Sequence, residues 1–167
     1  MKPGAIRREL READSPSLRR RRWIAALSAV GVVDFAVISL YQLGVIRHLP
    51  DPPGRLFDSD KVNGSRKAYA TGVPDGTLGL ALYALTLVLT GAGGTSRTGR
   101  PAILDLALGG AVLAGAIGAA HYLYDMVMRQ ERACPYCLAG AAVSFAMLPL
   151  AVRETRAGAR SVLDSAA

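Results

Sequence analysis

The apolar positions of this chain gather into four long runs, about 23–46, 76–92, 101–124 and 134–152, with polar segments between them. An α-helix rises about 1.5 Å per residue, so some 20 apolar residues cross the roughly 30 Å hydrocarbon layer of a membrane. The first and third runs are each 24 residues long. The second is short, so its ends are expected in the interface. The runs are rich in leucine, valine and small residues and poor in aromatics, the composition of packed membrane helices. In the third, Ala111/Gly115 and Ala114/Gly118 stand four apart, which predicts a close helix approach there. The pattern predicts an all-α integral membrane four-helix bundle over residues 23–152. A basic segment, 1–22, precedes it, and a polar tail, 153–167, follows.

The polar segments have their own signals. Ile6–Ala13 reads as a short surface helix, and Arg19–Arg22 abut the first run, with Trp23 placed for the interface. The long segment 47–75 starts with His48–Gly54, stiffened by three prolines. Asp58–Tyr69 is polar enough for a short helix that presses Val62, Ala68 and Tyr69 onto the bundle. Asp75 is placed to cap the second span. Gly93–Arg100 reads as a tight basic turn, and Asp105 is expected at the interface. Asp34 lies near the middle of the first span, where a carboxyl needs a partner, a proton or a water-filled cavity. Ser39, Tyr41 and Gln42 make the outer half of that span more polar.

Charge changes the picture by setting orientation. The net charge of +7 points to nucleic acid or to a membrane surface. The cations cluster at the ends of the apolar runs, which favours lipid headgroups and no nucleic acid. Thirteen of the 20 lysines and arginines fall on the side of the termini and the 93–100 turn, and seven on the other. By the positive-inside rule both termini are cytoplasmic, and the long loop faces outward. For a bacterial cell this predicts a multi-pass protein of the inner membrane, its loop in a compartment where disulfides persist. The first run is too long for a secretory signal peptide.

Candidate chemistry rests on Cys134-Pro135-Tyr136-Cys137, which holds both cysteines of the chain and opens the fourth run. Pro135 suits the first helical turn, which puts Cys137 one turn deeper on nearly the same face. That spacing suits a disulfide that opens and closes. The helix N-terminus and Arg132 favour the thiolate of Cys134. Cys134 is placed to exchange with an external thiol, and Cys137 to meet something dissolved in the membrane. Thiol exchange passes two electrons. With no haem, nucleotide or iron–sulfur motif in the chain, the membrane-soluble acceptor left is a quinone, ubiquinone or menaquinone. Asp75, His121, Tyr122 and Tyr124 are candidates to line its pocket or handle its protons. Two other readings of the pair stay open, thiophilic metal binding and a structural role. The glutaredoxin fold that the motif also suggests is excluded, because no βαβ pattern surrounds it.

Four spans, a long loop after the first and a Cys-x-x-Cys opening the fourth resemble the vitamin K epoxide reductase family in its bacterial branch. Ser59-Asp60-Lys61-Val62-Asn63-Gly64-Ser65 is similar to that family's loop motif, Cys-Asp-Lys-Val-Leu-Asn-Ser. Gly72–Gly79 with Tyr83 resembles its approach to the second span. The resemblance implies a bundle around a quinone, with Cys137 reacting with the quinone and Cys134 receiving electrons. It implies a thioredoxin-fold partner outside the membrane and a role in disulfide formation. It also puts Asp75 where some members hydrogen-bond the quinone through Asn. The chain departs from the family in its loop. Ser59 stands in place of one relay cysteine, and no cysteine lies near Pro52 for the other. A partner would then attack the Cys134–Cys137 disulfide directly. Ala141 stands where some members have a quinone-contacting Tyr.

Overall fold

The structure, a computed structural model, describes residues 8–9, 11–95 and 103–166, with side chains as far as Arg160. In chain order its elements are α1 (Pro16–Gln42), α2 (Ser59–Asn63), a 3-10 turn (Arg66–Tyr69), α3 (Asp75–Gly91), α4 (Ile103–Asp125), a π-helical turn (Met126–Gln130) and α5 (Pro135–Ala166). Among the described residues there is no strand, only an isolated bridge between Phe57 and Ala133. Three helices are long and apolar enough to cross a membrane: α1, α4 with its π turn, and α5. α3 is apolar but shorter, at 17 residues. The expected surface helix over Ile6–Ala13, the rest of the 93–100 turn beyond Thr95, and Pro101 lie wholly or partly outside the described residues.

α1 packs along α3 and α5, and α4 along α5 and α3. Ile24, Tyr83, Leu108, Val112, Met147 and Ala151 form the centre of the core. The closest helix approaches are at glycines. A Cβ on Gly140 would stand 2.6 Å from the Phe35 ring, and Gly79 presses on the same ring from α3. Gly31 leaves a similar space for Tyr83, where an added Cβ would lie 2.5 Å from Cε1. The expected contact stripe on α4 is looser. Gly115 would meet Leu82 only at 3.5 Å, and Gly118 faces open space, because it lines the cavity described below.

The helix ends differ from the sequence expectation for identifiable reasons. α1 starts seven residues before Trp23 because Ser15 caps it, accepting from the Leu18 N–H at 3.1 Å, and Pro16 opens the first turn. The arginine run is therefore helical. Arg20 pairs with the buried Glu154 of α5, to which Ser17 also donates. Arg21, buried among helix ends, donates to the carbonyls of Thr90 and Gly94 at 3.1 and 2.7 Å. It thus satisfies groups that the end of the short α3 leaves unpaired. α1 stops at Gln42 rather than Ile46, because Gly44 takes a left-handed conformation (φ 75°) and the chain turns back with Val45 N–H on the Leu40 carbonyl. α5 runs on to Ala166 through the expected tail. There Thr155 donates to the carbonyls of Ala151 and Asp105.

The segment between α1 and α3 folds as a cap over one end of the bundle. The expected short helix over Asp58–Tyr69 forms in two pieces, α2 and the 3-10 turn. Asp58 caps α2, accepting from the Lys61 N–H at 2.9 Å. Asp75 is not the cap of α3. Pro74 occupies that position, and the Asp75 carboxylate instead accepts from Gln42 Nε2 at 2.5 Å. Gln42 ties the region together: it also donates to the Asn63 carbonyl and accepts from the Gly76 N–H, at 3.1 and 2.9 Å.

Candidate active site

α5 starts at Pro135, so Cys134 is the residue before it, its carbonyl taking the first helical hydrogen bond, from Leu138 N–H at 3.0 Å. The chain reaches this point through the π turn and Glu131, whose left-handed backbone (φ 54°) redirects it toward the cap. Ala133 then pairs with the cap segment: its N–H donates to Leu56 O at 2.8 Å and its carbonyl accepts from Asp58 N–H at 3.0 Å. The bridge draws α2 directly over the cysteine.

Cys134 is consequently sealed, with 0 % of its surface exposed, among Val62, Met126 and the buried Ser59 and Asn63. The sequence places Cys134 for exchange with an external thiol, and in this structure the cap covers it. Ser59 is fixed by Asp51, which accepts from its N–H and hydroxyl at 2.7 and 2.6 Å. Two N–H donors converge on the Cys134 sulfur, the Cys137 backbone N–H and the Asn63 amide, each at 3.2 Å. Both cysteines are free thiols here.

Cys137, one turn on, is only partly buried and opens into a cavity of about 220 Å³ between α1, α3, α4 and α5. Its walls are mostly apolar, from Phe35, Ile38, Leu78 and Leu82. Polar groups collect near the cap: Asn63, Asp75 and Tyr122 beside Cys137. Deeper in, Tyr83 donates to the Gly140 carbonyl at 2.7 Å and shares a hydrogen bond with Ser144 at 2.7 Å. The structure thus brings Cys137, Asp75 and Tyr122 together at one cavity. It leaves His121 on the exposed side of α4, edge-on to Tyr122 and outside the lining, and Tyr124 exposed as well. Ala141 lines the cavity as a small residue.

Asn63 and Gln42 were not among the sequence candidates. For Asn63 the signal was present, a polar amide where the loop motif has leucine. For Gln42 there was only its polarity near the end of an apolar run. Asp34 lies beside the site: a Cβ on Gly140 would stand 3.3 Å from its Oδ2, which makes no hydrogen bond. Among the described residues no group of three or more His, Cys, Asp or Glu is arranged to hold a metal ion.

The cap is held down at its edges. Lys67 of the 3-10 turn pairs at 2.5 Å with Asp125, which is buried at the end of α4 and also meets Arg129 at 3.2 Å. Asp60 accepts from the Leu49 N–H at 2.9 Å and pairs with His48 at 2.5 Å. That hydrogen bond raises His48 above its ordinary value. Tyr136, next to the cysteines, donates to the Pro50 carbonyl at 3.2 Å.

The model of the vitamin K epoxide reductase family matches residues 22–152, which takes in α1 from Arg22, the cap, α3, α4, both cysteines and α5 as far as Val152. No curated protein matches the chain.

Proposed function

The chain belongs to the vitamin K epoxide reductase family, and from that membership we propose that it is a membrane thiol oxidoreductase. In this reading it passes electrons from extracytoplasmic thiols through Cys134 and Cys137 to a membrane quinone and so supports disulfide formation. The family and the three long apolar helices make it a multi-pass membrane protein of a redox family. The rest is our reading: α3 is a fourth span, both termini are cytoplasmic, the cap faces the periplasm, and the membrane is a bacterial inner membrane. The observation that carries it is the Cys137 thiol opening into an apolar cavity while Cys134 lies under the cap.

The residues fit such a cofactor. The cavity is apolar along its length, as a ring with a lipid tail requires, and polar only where Asp75, Tyr122 and Asn63 meet Cys137. Asp75 and Tyr122 would hold the ring oxygens, and a bound quinone supplies a sink for two electrons and two protons. The chain's own part starts from the Cys134–Cys137 disulfide. A thiolate of a thioredoxin-fold partner attacks Cys134 Sγ, the S–S bond breaks, and Cys137 leaves as a thiolate. A second thiolate of the partner attacks its own sulfur in the mixed disulfide and releases Cys134, so the partner is oxidised and the pair is reduced. Because Cys134 is sealed, α2 must lift before the first attack.

The test is to reduce the purified protein, add ubiquinone or menaquinone analogues, and count free thiols and quinol formed. Loss of two thiols per quinol is expected, and Cys137→Ser should accumulate a partner joined through Cys134. Thiols that persist with every quinone would overturn the reading and move the weight to a metal-binding or structural protein of the same fold. Stoichiometric binding of a thiophilic metal such as copper or mercury would separate those two.

A further inference from the structure

The two cysteine sulfurs are chemically equivalent in sequence, yet one side chain treats them oppositely. Asn63, buried in α2, directs its amide nitrogen at Cys134 Sγ (3.2 Å), while its amide oxygen accepts from the Cys137 thiol at 3.7 Å. The same nitrogen donates to the Ser59 carbonyl at 2.9 Å, and the Asn63 backbone carbonyl accepts from Gln42. Asn63 is thereby held at its backbone and, through the Ser59 carbonyl, at its amide nitrogen. The Ser59 carbonyl and the Cys137 S–H both require the orientation with nitrogen toward Cys134. An amide flipped end for end would point its NH2 group at the Cys137 thiol and leave its oxygen facing a carbonyl.

We propose that Asn63 is a catalytic residue of the thiol pair, an amide bridge that keeps the proton on Cys137 and the negative charge on Cys134 in the reduced state. A sulfur that receives two N–H groups, from Asn63 and from Cys137, is stabilised as an anion. A sulfur that faces an amide oxygen is stabilised as S–H. The reduced pair is a monoanion with one defined proton. Its reoxidation by a two-electron acceptor A then balances as RS⁻ + R′SH + A + H⁺ → RS–SR′ + AH₂. The bond that forms joins Cys134 Sγ to Cys137 Sγ, the Cys137 S–H bond breaks, the two electrons released pass to A, and A takes up that proton and one from solvent. The bridge also gives α2 a direct part in the chemistry. Lifting the cap withdraws Asn63, so the charge preference exists only while the site is closed.

This rests on reading the pair as a redox dithiol, but not on which acceptor oxidises it. The experiment therefore reads protonation without quinone. The reduced full-length protein in detergent is titrated by the ultraviolet absorbance of the thiolate, for the native chain and for Asn63→Leu, which is close to isosteric. One thiolate should form at low pH in the native protein, and its midpoint should rise by about one pH unit or more in Asn63→Leu, since a hydrogen bond to a charged group is lost. An unchanged midpoint in a folded Asn63→Leu would overturn the assignment. A second measurement leaves Asn63 intact. The infrared S–H band of the native reduced protein near neutral pH should come from Cys137 alone, and Cys137→Ser should remove it. A band that survives that substitution would show a protonated Cys134 and sink the proposal. Failure of quinone to oxidise the pair, with both titration results as expected, would count against the acceptor and leave the bridge standing.

Discussion

Replacing Lys67 by methionine should expose Cys134. Lys67 is the cation that the cap contributes to a carboxylate on the bundle: its ammonium lies 2.5 Å from Asp125, whose side chain is only 4 % exposed. Removing one partner of a buried ion pair typically costs about 3–5 kcal/mol, because the other charge is left without compensation. Two features reduce the figure here. Lys67 itself is 27 % exposed, and Arg129 remains 3.2 Å from the same oxygen, although largely in solvent. About 2 kcal/mol is a reasonable expectation, and since the pair joins the cap to the bundle, it should appear in the opening of the cap. If the cap opens and closes faster than a reagent reacts, the reaction rate follows the open population, and 2 kcal/mol corresponds to roughly a thirtyfold increase. The assay is alkylation of Cys134 by a water-soluble maleimide in a Cys137→Ser background. Lys67→Met should speed it. Adding Asp125→Leu to Lys67→Met should slow it again, because the uncompensated charge is then gone. A rate unchanged by Lys67→Met would refute the view that this pair keeps Cys134 closed.

Three further outcomes follow from the same geometry. His48 titrates above its ordinary value because Asp60 accepts its hydrogen bond; the pair therefore helps hold the cap fully below about pH 6.5, and its contribution is lost as pH rises through the raised value, so NMR should show a high His48 midpoint that Asp60→Asn returns to the ordinary one. Arg21→Met removes donors to the carbonyls of Thr90 and Gly94 and should lower stability by about 1.5–3 kcal/mol, as hydrogen bonds to charged groups go, measured by thermal unfolding in detergent. Gly140→Ala sets a methyl 2.6 Å from the Phe35 ring and should cost about 1–3 kcal/mol by overpacking, whereas Gly118→Ala, which meets nothing within 4 Å, should leave unfolding unchanged.

How far the fold was legible depends on how local its causes are. The apolar runs located the helices because burial in hydrocarbon acts on whole segments. Their ends missed by several residues, although Ser15-Pro16 and Gly44 carry ordinary capping signals. Capping acts on the backbone of the polar flanks, so a helix can begin or end away from the limits of its apolar run. The small-residue spacing on α4 was real, but spacing names no neighbour, and the tight approaches lie at Gly31, Gly79 and Gly140 against rings from other helices. The site divided along the same line. Cys134, Cys137, Asp75 and Tyr122 were readable by residue type. The burial of Cys134 was not, because it depends on Phe57 meeting Ala133 across 76 positions of chain. Nor was the position of His121, since a one-residue rotation on α4 decides whether a side chain lines the cavity or faces outward.

The two cysteines end up facing different surroundings, and that difference is what a transfer between a water-soluble thiol and a lipid-soluble acceptor requires. Cys137 opens to the apolar cavity. Cys134 faces a polar lid whose members are anchored individually: Ser59 to Asp51, Leu49 to Asp60, Tyr136 to Pro50 and Lys67 to Asp125. The anchors are hydrogen bonds and one ion pair, and the buried apolar residues beside them are Leu49, Val62, Ala68 and Met126. Segments held this way open at lower free energy than the bundle they cover. Under the function proposed above, a chain whose cap carries serine at position 59 and no cysteine relies on opening of that cap to bring Cys134 to a thiol in water.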